Sequence, residues 1–373
     1  MTLAHGIADS KFSKLKGALA SCHADGLMQG GSVAVVLEGK LVAELWCGHA
    51  DAAGTRPWAQ DTLVNVWSCT KGVLATAIAM AVERGLLRYD MRLAEVWPEF
   101  AAHDKQDITL EQVMTHRSGI NGITGDVAEN IYLDWPRAVR AIEAMKPNYA
   151  PGSACVYHAL SIGTLAGETL RRVTGKMPGA FIRDDMTGPL GADFHVGVSA
   201  SHDARCAEMI AGPGTDDWVA QVSSTPYPQG VQNPRPDALA PNQRAWRAAQ
   251  IPGGNGHGTA LGLAKIYGDL VKTSSTLLGR PAVKEAIRQR FRGRDEGFQD
   301  DTCWAAGFRL EDPEWSVRAS TATFGHGGWG GAFGFADPEA RLGFAFVTNH
   351  MMSFGEEKDM RRQRLINAVH DAL

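Results

Sequence analysis

Val66-Trp67-Ser68-Cys69-Thr70-Lys71-Gly72-Val73 sets a serine three residues ahead of a lysine at the mouth of a helix. The residues that follow, Leu74 to Arg84, are rich in alanine and apolar side chains, and Gly85 supplies a natural helix C-terminus. Side chains three apart share a helix face, so the Ser68 hydroxyl and the Lys71 amine can meet. The N–H groups of a first helical turn lack helical partners and sit at the positive end of the dipole. A serine there has a proton acceptor beside it and a main-chain donor for a developing oxyanion. The same spacing recurs at Ser13…Lys16, in a lysine-rich stretch that reads as an exposed helical face. A serine at a helix start can equally serve as an N-cap. The motif has to be weighed with the rest of the chain.

Working outward, an amphipathic helix is expected from about Ser10 to Ala24. Two β-rich runs follow, Ser32 to Leu37 and Leu41 to Trp46, and Glu38-Gly39-Lys40 between them reads as a hairpin turn. From about 70 to 280, alanine- and leucine-rich helical segments alternate with loops; the Pro/Gly-rich stretch from Gly212 to Gln243 reads as an extended loop without periodicity. Strands return at Cys303 to Leu310, Gly331 to Ala336 and Leu342 to Val347, the last two joined by a turn at Asp337-Pro338-Glu339-Ala340-Arg341. A closing helix is expected from about Glu356 to Ala372. Strands at both ends and helices between them predict an α/β (α+β) protein: one antiparallel sheet flanked by N- and C-terminal helices, with an inserted mainly helical domain. On this reading residues 1–66 and 285–373 form the α/β domain, residues 67–284 the helical one, and the active site lies between them.

The chain's 373 residues can bury a sizeable core, and a net charge of −4 leaves no basic footprint for nucleic acid or for a membrane surface. Its first residues lack the basic start and apolar core of a signal peptide, and no apolar run approaches the roughly 20 residues of a membrane span. Six scattered cysteines (Cys22, Cys47, Cys69, Cys155, Cys206, Cys303) have neither metal spacing nor a disulfide framework. A cytoplasmic protein with reduced thiols is expected, Cys69 being read as a small buried hydrophobe.

Two further clusters carry chemistry. Pro151-Gly152-Ser153-Ala154-Cys155-Val156-Tyr157-His158-Ala159 places a tyrosine after a turn and before a helix beginning near Leu160. A phenol, with an ordinary pKa of about 10, becomes a useful base only beside a cation such as Lys71; otherwise Tyr157 is a half-buried anchor. Phe324-Gly325-His326-Gly327-Gly328-Trp329-Gly330-Gly331 is dense enough in glycine to let a substrate lie against the backbone, or to form a crowded bend between strands.

Taken in order, Ser68-x-x-Lys71, Tyr157 after Pro151-Gly152, and His326-x-Gly328 before a terminal strand resemble the motifs of serine β-lactamases and penicillin-binding proteins. Ile108 to Gly119, Phe335 to Glu339 and Phe346 to Asn349 resemble the same family, so the likeness spans essentially the whole chain. Within it the text is most similar to the family VIII carboxylesterases, which have a class C β-lactamase fold; Ile251 to Ala260 also looks like that branch. The resemblance implies a serine acyl-hydrolase that takes short-chain esters through an acyl-enzyme on Ser68, with Tyr157, held basic by Lys71, moving the protons. It further implies an oxyanion site made by the N–H groups of Ser68 and Trp329, with His326, Gly327 and Gly328 on the substrate side and the Trp329 ring against the pocket.

Two departures bear on the substrate. Ala159 stands where β-lactamases of this family carry an asparagine, and His326 stands where they carry a lysine. Both losses favour an ester over a β-lactam and leave the acyl-transfer residues in place; a β-lactamase or a D-amino-acid peptidase or acyltransferase is the alternative on the same machinery. A catalytically dead binding module would be marked by loss of Ser68, Lys71 or Tyr157, and all three are present. An α/β-hydrolase would need a nucleophile elbow, and its nearest match is the imperfect Ala159-Leu160-Ser161-Ile162-Gly163. No His-Glu-x-x-His and no dinucleotide fingerprint occur, so neither a metal nor a cofactor is expected. The roles of His158 and His257, and the oligomeric state, are left open.

Overall fold

A computed structural model describes residues 3–125, 130–312, 315, 317, 320–353 and 359–373. Nine strands, β1 (His5–Ala8), β2 (Gly30–Leu37), β3 (Lys40–Gly48), β4 (Phe291–Asp295), β5 (Asp300–Trp304), β6 (Arg309–Leu310), β7 (Phe324–Gly327), β8 (Phe333–Asp337) and β9 (Leu342–Thr348), make one antiparallel sheet. Its order is β1-β3-β2-β9-β8-β7-β6-β5-β4, so strands from both ends of the chain meet at the β2–β9 pair. The β2–β3 hairpin turns on Glu38 and Gly39, both with positive φ, which suits the right-handed twist of its strands.

Side-chain alternation explains what covers each face. Val33, Val35, Phe333, Phe335, Phe344 and Phe346 point to one side, where α1 (Ser13–Ala24) and the closing helix α6 (Met360–His370) bring Leu15, Leu19 and Leu365 against them. Ala34, Ala336 and Ala345 point to the other side, under α5 (Ala260–Val271). Small residues there let the helix approach closely. A Cβ on Gly343 would lie 2.2 Å from the main-chain nitrogen of Gly268, so β9 and α5 touch backbone to backbone. On the same side α2 (Cys69–Glu83) packs against β7 and against α3 (Ser161–Thr174), and α4 (Asp217–Ser223) follows later in the chain. Every residue of α2 from Cys69 to Ala81 is buried, as its all-round apolar text requires.

The mixed α/β fold with a large antiparallel sheet is as expected, and α1 and the hairpin match closely. Four boundaries differ. Cys303 to Leu310 is not one strand: a hydrogen bond from Ala305 N to Phe308 O turns the chain between β5 and β6. The strand expected from Gly331 starts at Phe333, because Gly328 N donates to Ala332 O and closes a tight turn first. Residues 212–243 are not an irregular loop. They hold α4, whose Trp218, Val219 and Val222 form a buried stripe, and two short 3₁₀ turns at Pro228–Val231 and Ala240–Asn242. The closing helix begins at Met360, its expected start at Glu356 lying outside the described residues. Ser13 and Lys16 are both exposed on α1, as read.

Candidate active site

The approach to Ser68 is pinned from both sides. A three-stranded sheet of Val64–Asn65, Gly256–Gly258 and Phe194–Val196 delivers the chain, with Val66 N donating to Gly256 O at 2.8 Å. Trp67 then adopts φ +48, a left-handed conformation that a bulky residue takes only where its surroundings enforce it. Ser68 stands at the N-cap of α2 but makes no capping hydrogen bond, so its hydroxyl is free for other work. That disposes of the N-cap reading.

Lys71 Nζ is buried within hydrogen-bond distance of three oxygens: Ser68 Oγ at 2.9 Å, Ala159 O at 2.8 Å and Gly253 O at 2.7 Å. The Tyr157 phenol interacts with the Ser68 hydroxyl, and Lys71 Nζ lies 4.7 Å from the phenol ring centre. Burial pushes the Lys71 amine well below the ordinary lysine value of 10.5. Burial also pushes the Tyr157 phenol up, against the opposing pull of its bond to Ser68. A dry pocket thus disfavours charge on both groups, which the expected Lys71 cation would have to overcome. The amine donates to Ala159 O and Gly253 O, and its third neighbour is Ser68 Oγ, whose proton it can take once it is neutral. One consequence is a pH profile. The amine accepts a proton only above its own pKa, so kcat/KM for an ester should rise with pH through a midpoint well below 10.5. A plateau reached only near an unperturbed lysine value would contradict this.

The end of β7 supplies the opposite wall. Cys69 Sγ, buried as expected, contacts His326 O at 3.4 Å, and a Cβ on Gly328 would fall 2.2 Å from Val66 O. Only glycine lets these two backbones touch. Among the described residues, neither the N–H of Ser68 nor that of Trp329 has a hydrogen-bond partner. The turn carrying Trp329 is clamped by Arg361 of α6, fully buried, which donates to Gly330 O at 2.8 Å and His350 O at 2.7 Å and pairs with Asp359.

The Trp329 ring packs between Trp67 (4.7 Å) and Trp218 (5.4 Å), with Nε1 donating to Thr215 O. Trp218, rather than Trp329, lines the cavity beside Tyr157. This narrow cavity is walled by Val156, Tyr157, Trp218, Val222, Val231 and Phe298, with no charged residue in its lining. His326 is buried; its Nδ1 meets Gly327 O at 2.7 Å, and its Nε2 has no partner. Burial is the main cause that pushes its pKa down to about 3, so it is uncharged at neutral pH.

The structure thus gathers Ser68, Lys71, Tyr157, His326, Gly328 and Trp329 in one place. Ser161 is elsewhere: it is fully buried, and its hydroxyl donates to Ile120 O at 2.6 Å, with no base beside it. His257 lies in the middle of the three-stranded sheet with Nδ1 against Asn255 O, while Gly253 of the same glycine run reaches Lys71. His158 is buried between Ser118 Oγ and Val156 O. Sequence reasoning missed the carbonyl role of Gly253, the cavity ring of Trp218 and the clamp of Arg361.

A model of the family described as Beta-lactamase matches residues 15–368. The chain belongs to the beta-lactamase family. It is 32% identical over 362 residues to the esterase/beta-lactamase LipL of Mycobacterium tuberculosis, covering 93% of this chain and 83% of the relative. Among solved structures, a family VIII carboxylesterase superposes with a TM-score of 0.91 at 37% identity, covering 99% of this chain and all of the other. A penicillin-binding protein homologue from Caulobacter crescentus gives a TM-score of 0.87 at 33% identity, over 99% and 100% of the two chains. The protein is a serine hydrolase of the beta-lactamase fold. Among its described residues no helix is long and apolar enough to cross a membrane.

Proposed function

We propose that the protein is a carboxylesterase acting on small, uncharged esters through an acyl-enzyme on Ser68. Lys71 takes the hydroxyl proton as Ser68 attacks the ester carbonyl, and the N–H groups of Ser68 and Trp329 receive the oxyanion. Tyr157 passes a proton to the leaving alkoxide, and the Lys71–Tyr157 pair then activates water to release the acid. The observation that carries the substrate class is His326. An uncharged imidazole with a bare Nε2 offers no donor to the carboxylate of an antibiotic, and Ala159 offers no amide. The uncharged, apolar walls of the cavity beside Tyr157 suit an uncharged acyl group or alcohol.

The name of the LipL relative keeps β-lactam hydrolysis as the second reading, and one comparison separates them. Loss of a charged hydrogen bond costs about 1.5–3 kcal/mol and of a neutral one about 0.5–1.5. Together these amount to roughly 2–4 kcal/mol, or about 30- to 1,000-fold in kcat/KM when both act in the transition state. The expected result is p-nitrophenyl butyrate ahead of nitrocefin and a cephalosporin by that margin on one preparation. Equal or faster cephalosporin turnover would promote the β-lactamase reading.

A further inference from the structure

Tyr157 belongs to no helix or strand, so its phenol needs some other device to aim it. One residue grips the chain on both sides of it. Val156 N donates to the carbonyl of His116 at 3.0 Å, and His158 N donates to His116 Nδ1 at 3.0 Å. The His116 ring, fully buried, also lies 4.6 Å from the Tyr157 ring, centre to centre. Two residues further on, Ser118 Oγ meets the His158 ring at 2.6 Å, so one short loop anchors the whole Val156–His158 segment. Because Nδ1 accepts, the neutral ring carries its proton on Nε2. His116 also holds φ +59, the left-handed region, where a histidine persists only when its contacts over-determine it. Nothing in the acyl-transfer steps uses this side chain.

We infer that His116 is the positioning residue of Tyr157, holding the main chain on either side so that the phenol meets Ser68. The inference rests on the proton-transfer role proposed for Tyr157, and the test separates the two. The variants His116→Leu, His116→Asn, Tyr157→Phe and the double His116→Leu/Tyr157→Phe are assayed with p-nitrophenyl butyrate, with thermal melting as the check on folding. Leucine removes the acceptor, and misplacing the phenol by about 1 Å lowers kcat about 100-fold while KM stays within about 3-fold. Asparagine tolerates positive φ and its amide oxygen stands where Nδ1 stood, so His116→Asn recovers to within about 5-fold of the parent. In the Tyr157→Phe background the leucine substitution costs less than about 2-fold more, because there is no phenol left to aim.

If His116→Leu costs the same factor in both backgrounds, or His116→Asn is as slow as His116→Leu, the positioning role is refuted. Should the leucine variant fail to fold, His116→Asn alone and combined with Tyr157→Phe decides: near-parental kcat alone and no added cost in combination support the role, and a large loss in both refutes it. A Tyr157→Phe enzyme at the parental rate would refute the role of the phenol itself and the positioning proposal with it.

Discussion

Replacing Ser68 by alanine lowers kcat for p-nitrophenyl butyrate by about 10⁴- to 10⁶-fold and leaves the melting temperature within a few degrees of the parent. The activity falls because Ser68 is the hydroxyl that Lys71 holds, whereas Ser161 is tied to Ile120 O inside the core. The fold survives because Ser68 makes no capping bond to α2, and Lys71 keeps the carbonyls of Ala159 and Gly253 when the hydroxyl is gone. A Ser68→Ala enzyme holding more than about 1% of parental kcat, with Ser161→Ala inactive, would move the nucleophile to the start of α3 and with it the whole mechanism.

Lys71→Ala and Tyr157→Phe each lower kcat by about 10²- to 10⁴-fold, and the double variant is close to the worse single one. On the proposed mechanism the two groups handle one proton through one hydroxyl: Lys71 Nζ lies 2.9 Å from Ser68 Oγ, and the Tyr157 phenol interacts with the same hydroxyl. Removing either interrupts the same transfer, so the second loss has little left to remove. Losses that multiply would show two separate steps, and the shared-proton account would fail. Lys71→Ala carries a stability cost as well, because it leaves two buried carbonyls without their donor. Its melting temperature should drop, whereas that of Tyr157→Phe, which keeps the ring and leaves no buried carbonyl without its donor, should not.

The features written in local pattern were legible. Alternating β-branched runs around Glu38-Gly39, the apolar body of α2 and the Ser68-x-x-Lys71 spacing each follow from the period of one element, and the family resemblance joined them to Tyr157 and His326. What escaped depends on the backbone or on distant pairing. Gly253 serves Lys71 through a carbonyl, which every residue possesses, so no residue type marks it. His116 grips Tyr157 because a positive φ turns its main chain and ring towards residues 156–158, and φ is not spelled in a side chain. Arg361 reads as one more charge on an amphipathic helix until the turn at Gly330 is seen beneath it. The dryness that disfavours charge on Lys71 and Tyr157 is likewise not written in the spacing of the two residues. Trp218 and its helix were hidden by the prolines and glycines around them, although the Trp218-Val219-Val222 stripe was in the text.

The pairing of β2 with β9 also sets a clock on synthesis. Ser68 and Lys71 leave the ribosome about 260 residues before Trp329, which at about 5–20 residues per second is a wait of about 13 to 50 seconds. Throughout that interval the nucleophile and its base exist without the oxyanion partner, and the apolar strand Gly30–Leu37 waits with one edge open where β9 will dock. On the proposed mechanism a growing chain is catalytically silent until Trp329 and the turn around it have been added. The same interval makes that open strand the natural address for a chaperone, and the first place where neighbouring nascent chains can join to each other instead of to themselves.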